Sequence, residues 1–181
     1  LETLADVKVF AFDKTGTLTA GRASVTNVVA LDGNERDLLS TLASLEAHSE
    51  HHIADALRRE VARRGLPIRE VRNVKALPSR GITGEDDAGP LWAGNRRMAE
   101  AMGAALDHEA LSALHNAAET VVYLGRGNRL LGAASVADKP RETSAAALAA
   151  LQQRGVETIL MMTGDRRPVA LRIGAELGLS V

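Results

Sequence analysis

The sequence predicts an α/β fold: a Rossmann-type parallel sheet, incomplete within this chain, with an α+β unit inserted into it. Three observations carry that prediction. Val7-Lys8-Val9-Phe10-Ala11-Phe12 is a short, mostly apolar run that stops at Asp13, which reads as a buried strand of a parallel sheet. The carboxyl end of such a strand is where these folds place chemistry. From Arg141 onward the chain reads helix, strand, helix, the grammar of a doubly wound sheet. The stretch between breaks that grammar, with Gly and Pro dense in 66–94. The two ends, 1–22 and 137–181, are therefore expected to form one discontinuous unit, and 23–136 a second.

Taken in order, Val25 to Leu31 is a strand candidate closed by the turn pair Asp32-Gly33. From Glu35 to Glu46, leucines at 38, 39, 42 and 45 share one helical face. A second amphipathic helix runs from about His52 to Arg64 and stops at Gly65, a good residue just past a helix end. Residues 66–94 are densely punctuated by Pro and Gly and predict short strands and turns rather than helix. Asn95–Met102 and His108–Ala118 predict short helices, and Val121–Leu124 with Leu130–Val136 a hairpin across Gly125-Arg126-Gly127-Asn128. Arg141–Arg154 is an alanine-rich helix ending at Gly155, Thr158–Met162 a strand, and Pro168–Leu177 a closing helix. There is no internal repeat.

Composition narrows the function classes. The chain has 181 residues, 45% hydrophobic and 25% charged, as in a soluble globular protein. A formal charge of −1 removes the general electrostatic argument for a nucleic-acid or anionic-membrane partner. The absence of cysteine excludes disulfides, thiolate zinc sites and a cysteine nucleophile. Four aromatic residues are too few for a base-stacking platform. No run approaches the ~18 apolar residues of a membrane helix, and no signal-peptide pattern opens the chain. The expectation is a soluble, intracellular chain. Starting at Leu1 and stopping abruptly at Val181, it reads as a piece of something longer.

Asp13-Lys14-Thr15-Gly16-Thr17-Leu18-Thr19 is the sharpest feature. A carboxylate at the end of a buried strand must be paired or solvated. Three hydroxyls and a glycine follow within six residues, offering donors and close backbone approach for a phosphate or a metal ion. Such a carboxylate can attack a phosphoryl group and form an acyl phosphate. The same residues also read as a strand-ending Asp followed by a Thr/Gly turn, and residue chemistry alone leaves both open.

Those seven residues match in full the phosphorylation signature of the P-type ATPases, ion pumps that pass through an aspartyl phosphate, and the chain resembles that family in further places. Thr163-Gly164-Asp165, after another predicted strand, is similar to the family's second phosphate-binding motif. Asp138-Lys139-Pro140-Arg141 resembles its Asp-x-x-Arg hinge element; alternatively, Asp138 caps the helix beginning near Pro140. The resemblance implies a haloacid-dehalogenase-like parallel sheet with an inserted nucleotide-binding domain. It carries Asp13, Lys14 and Thr15 over as catalytic, with Asp13 the nucleophile, and Thr163, Gly164 and Asp165 as the second catalytic segment. Mg²⁺ would be ligated by the Asp13 carboxylate and the Thr15 backbone carbonyl, and Thr163 and Gly164 would hold the transferred phosphoryl group. Phosphatases of the superfamily carry a second Asp two residues after the nucleophile, as general acid/base. Here that position is Thr15, so the resemblance favours a persistent acyl phosphate over a phosphatase.

The inserted segment resembles the nucleotide-binding domain of the heavy-metal-transporting class. That class has Ser-Glu-His-Pro opening a helix; this chain has Ser49-Glu50-His51-His52. His51 matches the histidine packed against adenine, and Glu46 the acidic adenine contact. The family's Gly-x-Gly and following Gly-Asn appear as Ser79-Arg80-Gly81 and Gly94-Asn95, which carries over Gly81 and Gly94 as ATP contacts. The His51/His52 pair with His48 has a second reading as a transition-metal site, beside solvated histidines at a helix end.

The expectation is therefore the ATP- and Mg²⁺-using cytoplasmic catalytic region of a membrane-embedded heavy-metal pump. Its two units would close hinge-wise over ATP, and its partners would be the actuator and membrane domains. Zinc, cadmium, cobalt and copper are left open as the ion. The family's catalytic Lys and Gly-Asp-Gly-x-Asn-Asp segment have no counterpart in these 181 residues, so the chain alone is expected to bind nucleotide with little turnover. A non-catalytic nucleotide-binding module is the competing class, and a haloacid-dehalogenase-like phosphatase the third.

Overall fold

In the computed structural model, residues 7–47, 49, 52–116, 119–163 and 167–179 are described. The chain divides into two compact units, Leu1–Arg22 with Asp138–Val181, and Ala23–Ala137.

In the discontinuous unit, β1 (Val9–Asp13) pairs in parallel with β8 (Thr158–Met162), in a register that sets Val9 opposite Thr158 and Asp13 opposite Met162. Parallel neighbours need a long crossover, and the chain between these two includes α5 (Glu142–Gln153). A closing helix, α6 (Arg167–Glu176), follows β8. Strand alternation puts Phe12, Ile159 and Met161 on one face, packed against Leu18, Leu148 of α5, and Ile173 and Leu177. The other face is open: Val9 is 53% exposed, Leu160 51% and Met162 60%. The sequence reading of Val7–Phe12 as a fully buried strand is corrected by this pattern. Both helices bury side chains in the same cluster, so each strand is covered on one side only. Of α5, only Ser144 and Leu148 are buried, and alanine's intrinsic propensity sustains the rest of the helix.

The second unit is built on a six-stranded sheet in the order β2-β7-β6-β5-β4-β3. Its strands are β2 (Thr19–Ala30), β3 (Arg72–Leu77), β4 (Gly81–Asp86), β5 (Gly89–Gly94), β6 (Thr120–Arg126) and β7 (Arg129–Pro140). The β3–β4, β4–β5, β5–β6 and β6–β7 pairs are antiparallel. β2 and β7 each run across the boundary between the two units.

Period-two alternation splits the core in two. Leu91, Ala93, Val122 and Leu124 face one side, and Trp92 and Tyr123 the other. Two helices, α1 (Glu35–Leu45) and α2 (His52–Arg63), cover the first face. The predicted leucine stripe is its centre: Leu39, Leu42 and Leu45 are fully buried and Leu38 nearly so. Each such burial contributes about 1.5–3 kcal/mol. The second face lies under α3 (Arg96–Ala101), α4 (Ser112–Asn116) and the 3-10 turn before it, through Met98, Leu114 and Leu111 respectively. Asn34 and Asn95 cap α1 and α3 by accepting the Asp37 and Met98 amides. Gly65 (φ 61°) ends α2, with Leu66 N–H returned to the Val61 carbonyl.

On α2, the Glu60 carboxylate accepts from Arg63 Nε (2.9 Å), Arg63 Nη2 (2.8 Å) and Arg64 Nε (2.6 Å). The Arg63 hydrogen bonds lead, with Arg64 assisting against the cost of burial, and hold Glu60 from its ordinary 4.5 down to about 2. The folded state favours the carboxylate, so this stability is complete above pH ~4.5 and is lost as pH falls towards 2. Glu60→Gln should therefore lower unfolding free energy at pH 7 by about 1–2 kcal/mol once solvent screening is allowed for. Denaturant titrations should show the gap to wild type closing through that acid window.

Candidate active site

β1 delivers Asp13 at its carboxyl end, and the chain turns through Lys14–Leu18 before entering β2. Thr15 (φ −77°, ψ 121°) and Gly16 (φ 79°, ψ −14°) have the dihedrals of the central pair of a type II turn. That left-handed φ is why glycine stands at 16; a side chain there costs about 1–2 kcal/mol. Asp13, Thr15, Gly16 and Thr17 are exposed, whereas Lys14 (6%), Leu18 and Thr19 are buried. The carboxylate is therefore open to solvent while Lys14 is folded into the turn.

Thr19 organises the turn from below. Its backbone N–H donates to the Lys14 carbonyl, and its hydroxyl accepts from Gly16 N–H at 3.3 Å. The same hydroxyl lies 3.0 Å from the Lys14 carbonyl and 2.5 Å from Asp138 Oδ2. Its single proton serves one of those two acceptors at a time. Asp138 sits in β7, and the residue at the N-cap of α5 is Arg141, so Asp138 does not cap that helix. Its other oxygen, Oδ1, is buried without a hydrogen-bond partner among the described residues. Arg141 holds the turn from the side: Nη2 donates to the Gly16 carbonyl (2.8 Å), Nε to that of Thr17 (3.2 Å), and its backbone N–H to that of Leu18 (3.0 Å). Ser144 Oγ adds a second bond to Leu18. Sequence reasoning singled out Asp138 and Arg141 only as a motif. It missed that both, with Thr19, fix the shape of the turn behind Asp13.

Thr163 directly follows Met162, the register partner of Asp13. Asp13 and Met162 end adjacent parallel strands, which lie about 4.8 Å apart, and Thr163 is the first residue past β8. Gly164 and Asp165 lie outside the described residues. The Asp13 carboxylate and the Thr15 carbonyl are hard oxygen donors. Mg²⁺, usually held by one or two carboxylates with water and phosphate completing its shell, fits such a pair.

In the second unit, Glu46 is the C-cap of α1 and is 9% exposed. Its neighbour Leu45 packs over Gly84 of β4, three residues along the strand from Gly81, about 10 Å. Gly81 and Gly94 are cross-strand partners of β4 and β5. A Cβ on Gly81 would lie 2.1 Å from the Ala93 carbonyl oxygen, and one on Gly94 2.4 Å from that of Arg80. Both glycines are thus required by the close approach of the two strands, a packing reason that sequence reasoning, looking towards a ligand, did not see. Asn95 extends this corner, its Nδ2 donating to the Ser79 carbonyl (2.9 Å) and its N–H to that of Arg80 (2.9 Å). Ser79 itself has φ 60°, a conformation that glycine adopts without cost. His51 and His48 lie outside the described residues, as does the His52 side chain. Among the described residues, no group of three or more His, Asp or Glu is placed to hold a metal.

Comparison with known proteins accords with this geometry. Residues 7–181 match the haloacid dehalogenase-like hydrolase family. The copper-exporting P-type ATPase B of Archaeoglobus fulgidus is 36% identical over 178 residues, which cover 98% of this chain and 26% of that protein. A cadmium-transporting ATPase of Staphylococcus aureus is 32% identical over 188 residues, covering 99% and 26%. The chain therefore spans about a quarter of the length of these relatives. The crystal structure of a zinc-transporting PIB-type ATPase in its E2.Pi state superposes with a TM-score of 0.89 at 32% identity, over 99% of this chain and 29% of that one. This chain belongs to the haloacid dehalogenase-like hydrolase family, and along nearly its whole length it is similar to heavy-metal-transporting P-type ATPases.

Proposed function

We propose that this chain is the ATP-binding, phosphoryl-transfer region of a heavy-metal cation-transporting P-type ATPase, on the cytoplasmic side of a membrane. The observation that carries the reading is the full seven-residue signature at a strand end, with Thr163 one residue past the end of the adjacent parallel strand. In this reading 1–22 with 137–181 form the phosphorylation domain and 23–136 the nucleotide-binding domain. An Asp13 oxygen attacks the γ-phosphorus in line, the bond to the β,γ-bridging oxygen breaks, and ADP leaves with that oxygen's electron pair. The product is an acyl phosphate whose oxygens Thr163 and Gly164 would hold. Mg²⁺, held by Asp13 and the Thr15 carbonyl, would offset the charge gathered on the phosphoryl oxygens. Thr15 offers no carboxylate for proton transfer, which withholds a factor of roughly 10²–10⁴ from hydrolysis, so the intermediate persists.

Glu46, His51, Gly81 and Gly94 are the proposed adenine-side contacts. The partners of the whole protein would be the actuator and membrane domains and the transported cation. Among the described residues no helix is long and apolar enough to cross a membrane. Because these 181 residues include no Gly-Asp-Gly-x-Asn-Asp segment, the chain by itself should bind ATP with little turnover. Calorimetric titration with ATP in the absence of Mg²⁺ tests the pocket. Saturable binding, weakened tenfold or more (about 1.4 kcal/mol) by His51→Ala, is the expected result. Absence of binding at millimolar ATP would overturn it.

A further inference from the structure

The peptide joining Thr15 to Gly16 is the central one of the type II turn that follows Asp13. In a type I turn that peptide is rotated by roughly 150–170°, through ψ of its first residue and φ of its second. Its orientation therefore decides which way the Thr15 carbonyl points. Gly16 N–H donates to the Thr19 hydroxyl at 3.3 Å. The peptide is trans, so the Thr15 carbonyl in the same plane points the opposite way, away from Thr19. A single bond of that length is a weak hold on the orientation. The third residue of β2 supplies another. Gly21 has φ 68°, and a Cβ on it would lie 3.0 Å from Gly16 Cα and 3.4 Å from Gly16 N. Ordinary contact is 3.4–4 Å, so the two glycines approach backbone to backbone and leave no room for a side chain at 21. Gly16 is held on its other side by Arg141 Nη2 on its carbonyl (2.8 Å), which limits how far it can yield.

We propose that Gly21 is a positioning residue for phosphoryl transfer: its bare backbone seats the Thr15–Gly16 peptide and keeps the Thr15 carbonyl turned away from Thr19. The inference rests on the reading of that carbonyl as a Mg²⁺ ligand, and it gives a role to a glycine outside the seven-residue signature. Gly21 touches neither metal nor phosphate and acts only through the peptide it backs. Groups that orient a metal ligand typically govern its metal affinity by 10–100-fold. Two demands meet at this position, a left-handed φ and the absence of a Cβ. Asparagine adopts the left-handed conformation readily, so it satisfies the first demand and not the second. Alanine satisfies neither.

The test is the variant pair Gly21→Asn and Gly21→Ala. In the full-length product of the gene, the Mg²⁺ concentration for half-maximal labelling by ATP should rise about tenfold in both. In the isotope-labelled 181-residue chain without metal, the Gly16 amide resonance should move in both, because its peptide is displaced. Affinity for ATP without Mg²⁺ should stay within twofold of wild type, since the proposed adenine contacts lie in the second unit. A Mg²⁺ requirement within twofold of wild type in Gly21→Asn overturns the inference, whether or not the Gly16 resonance moves. The glycine would then serve its φ alone. An unmoved Gly16 resonance, or an equal loss of Mg²⁺-free ATP affinity, overturns it as well. If Gly21→Ala does not fold, Gly21→Asn decides. No labelling of the wild-type protein by Mg²⁺ and ATP removes the phosphoryl-transfer reading itself, and the inference with it.

Discussion

Asp13→Asn, in the full-length product of its gene, should abolish transfer of the γ-phosphoryl group from ATP, with activity falling by on the order of 10⁴–10⁶-fold, as when an enzyme loses its nucleophile. The amide is nearly isosteric, and Asp13 is exposed at the end of β1, so folding should not change. What is lost is an anionic oxygen able to form an acyl phosphate. ATP binding should survive, because the proposed adenine contacts lie in the second unit. Measuring labelling by radioactive ATP alongside ATP affinity separates the two effects. A variant that still labels at a tenth of the wild-type level would show that another group accepts the phosphoryl.

Thr19→Val should be the second most damaging substitution in the site. The side chains match in volume, so any effect belongs to the hydroxyl. That hydroxyl accepts from Gly16 N–H and meets both the Lys14 carbonyl and Asp138 Oδ2. Asp138 Oδ1 already has no partner among the described residues, so losing Thr19 strips the carboxylate of its hydrogen bond at Oδ2 as well. Removing a hydrogen bond from this half-buried carboxylate costs about 1–3 kcal/mol. The turn behind Asp13 would relax, and a displacement near 1 Å in a positioned nucleophile costs on the order of 10²-fold in rate. Thr19→Ser, which keeps the hydroxyl, should recover most of both losses. Equal stability and labelling in Thr19→Val would mean that Arg141 alone, through the Gly16 and Thr17 carbonyls, shapes the turn.

Much of the architecture was legible because it rests on short-range periodicity. The leucines at 38, 39, 42 and 45 recur at helical spacing and are the core of α1. Gly65 and Gly155 follow helix ends, and the β6–β7 hairpin turns at Gly127-Asn128, the second half of the four residues 125–128 across which the sequence placed it. Covering a strand is a property of tertiary packing rather than of its own residues. The run Val7–Phe12 is as apolar as a doubly buried strand, yet α5 and α6 pack on one side and leave Val9, Leu160 and Met162 exposed.

The candidate site divides the same way. Asp13 and Thr163 could be singled out because one ends and the other directly follows a recognisable strand. The groups holding the Asp13 turn could not be given roles, because Thr19 and Asp138 meet across 119 residues and Arg141 and Gly16 across 125. Gly81 and Gly94 were noticed as glycines that a ligand would need, whereas the spacing of β4 and β5 already demands them.

The central claim is that the Asp13 carboxylate accepts the phosphoryl group. Acid-quenching the full-length protein after incubation with Mg²⁺ and ATP, followed by peptide mapping, addresses it most directly. The account predicts one phosphate on the peptide containing Asp13, stable in acid and released by hydroxylamine as an acyl phosphate must be. Phosphate on a serine or threonine, resistant to hydroxylamine and still present in Asp13→Asn, would contradict it.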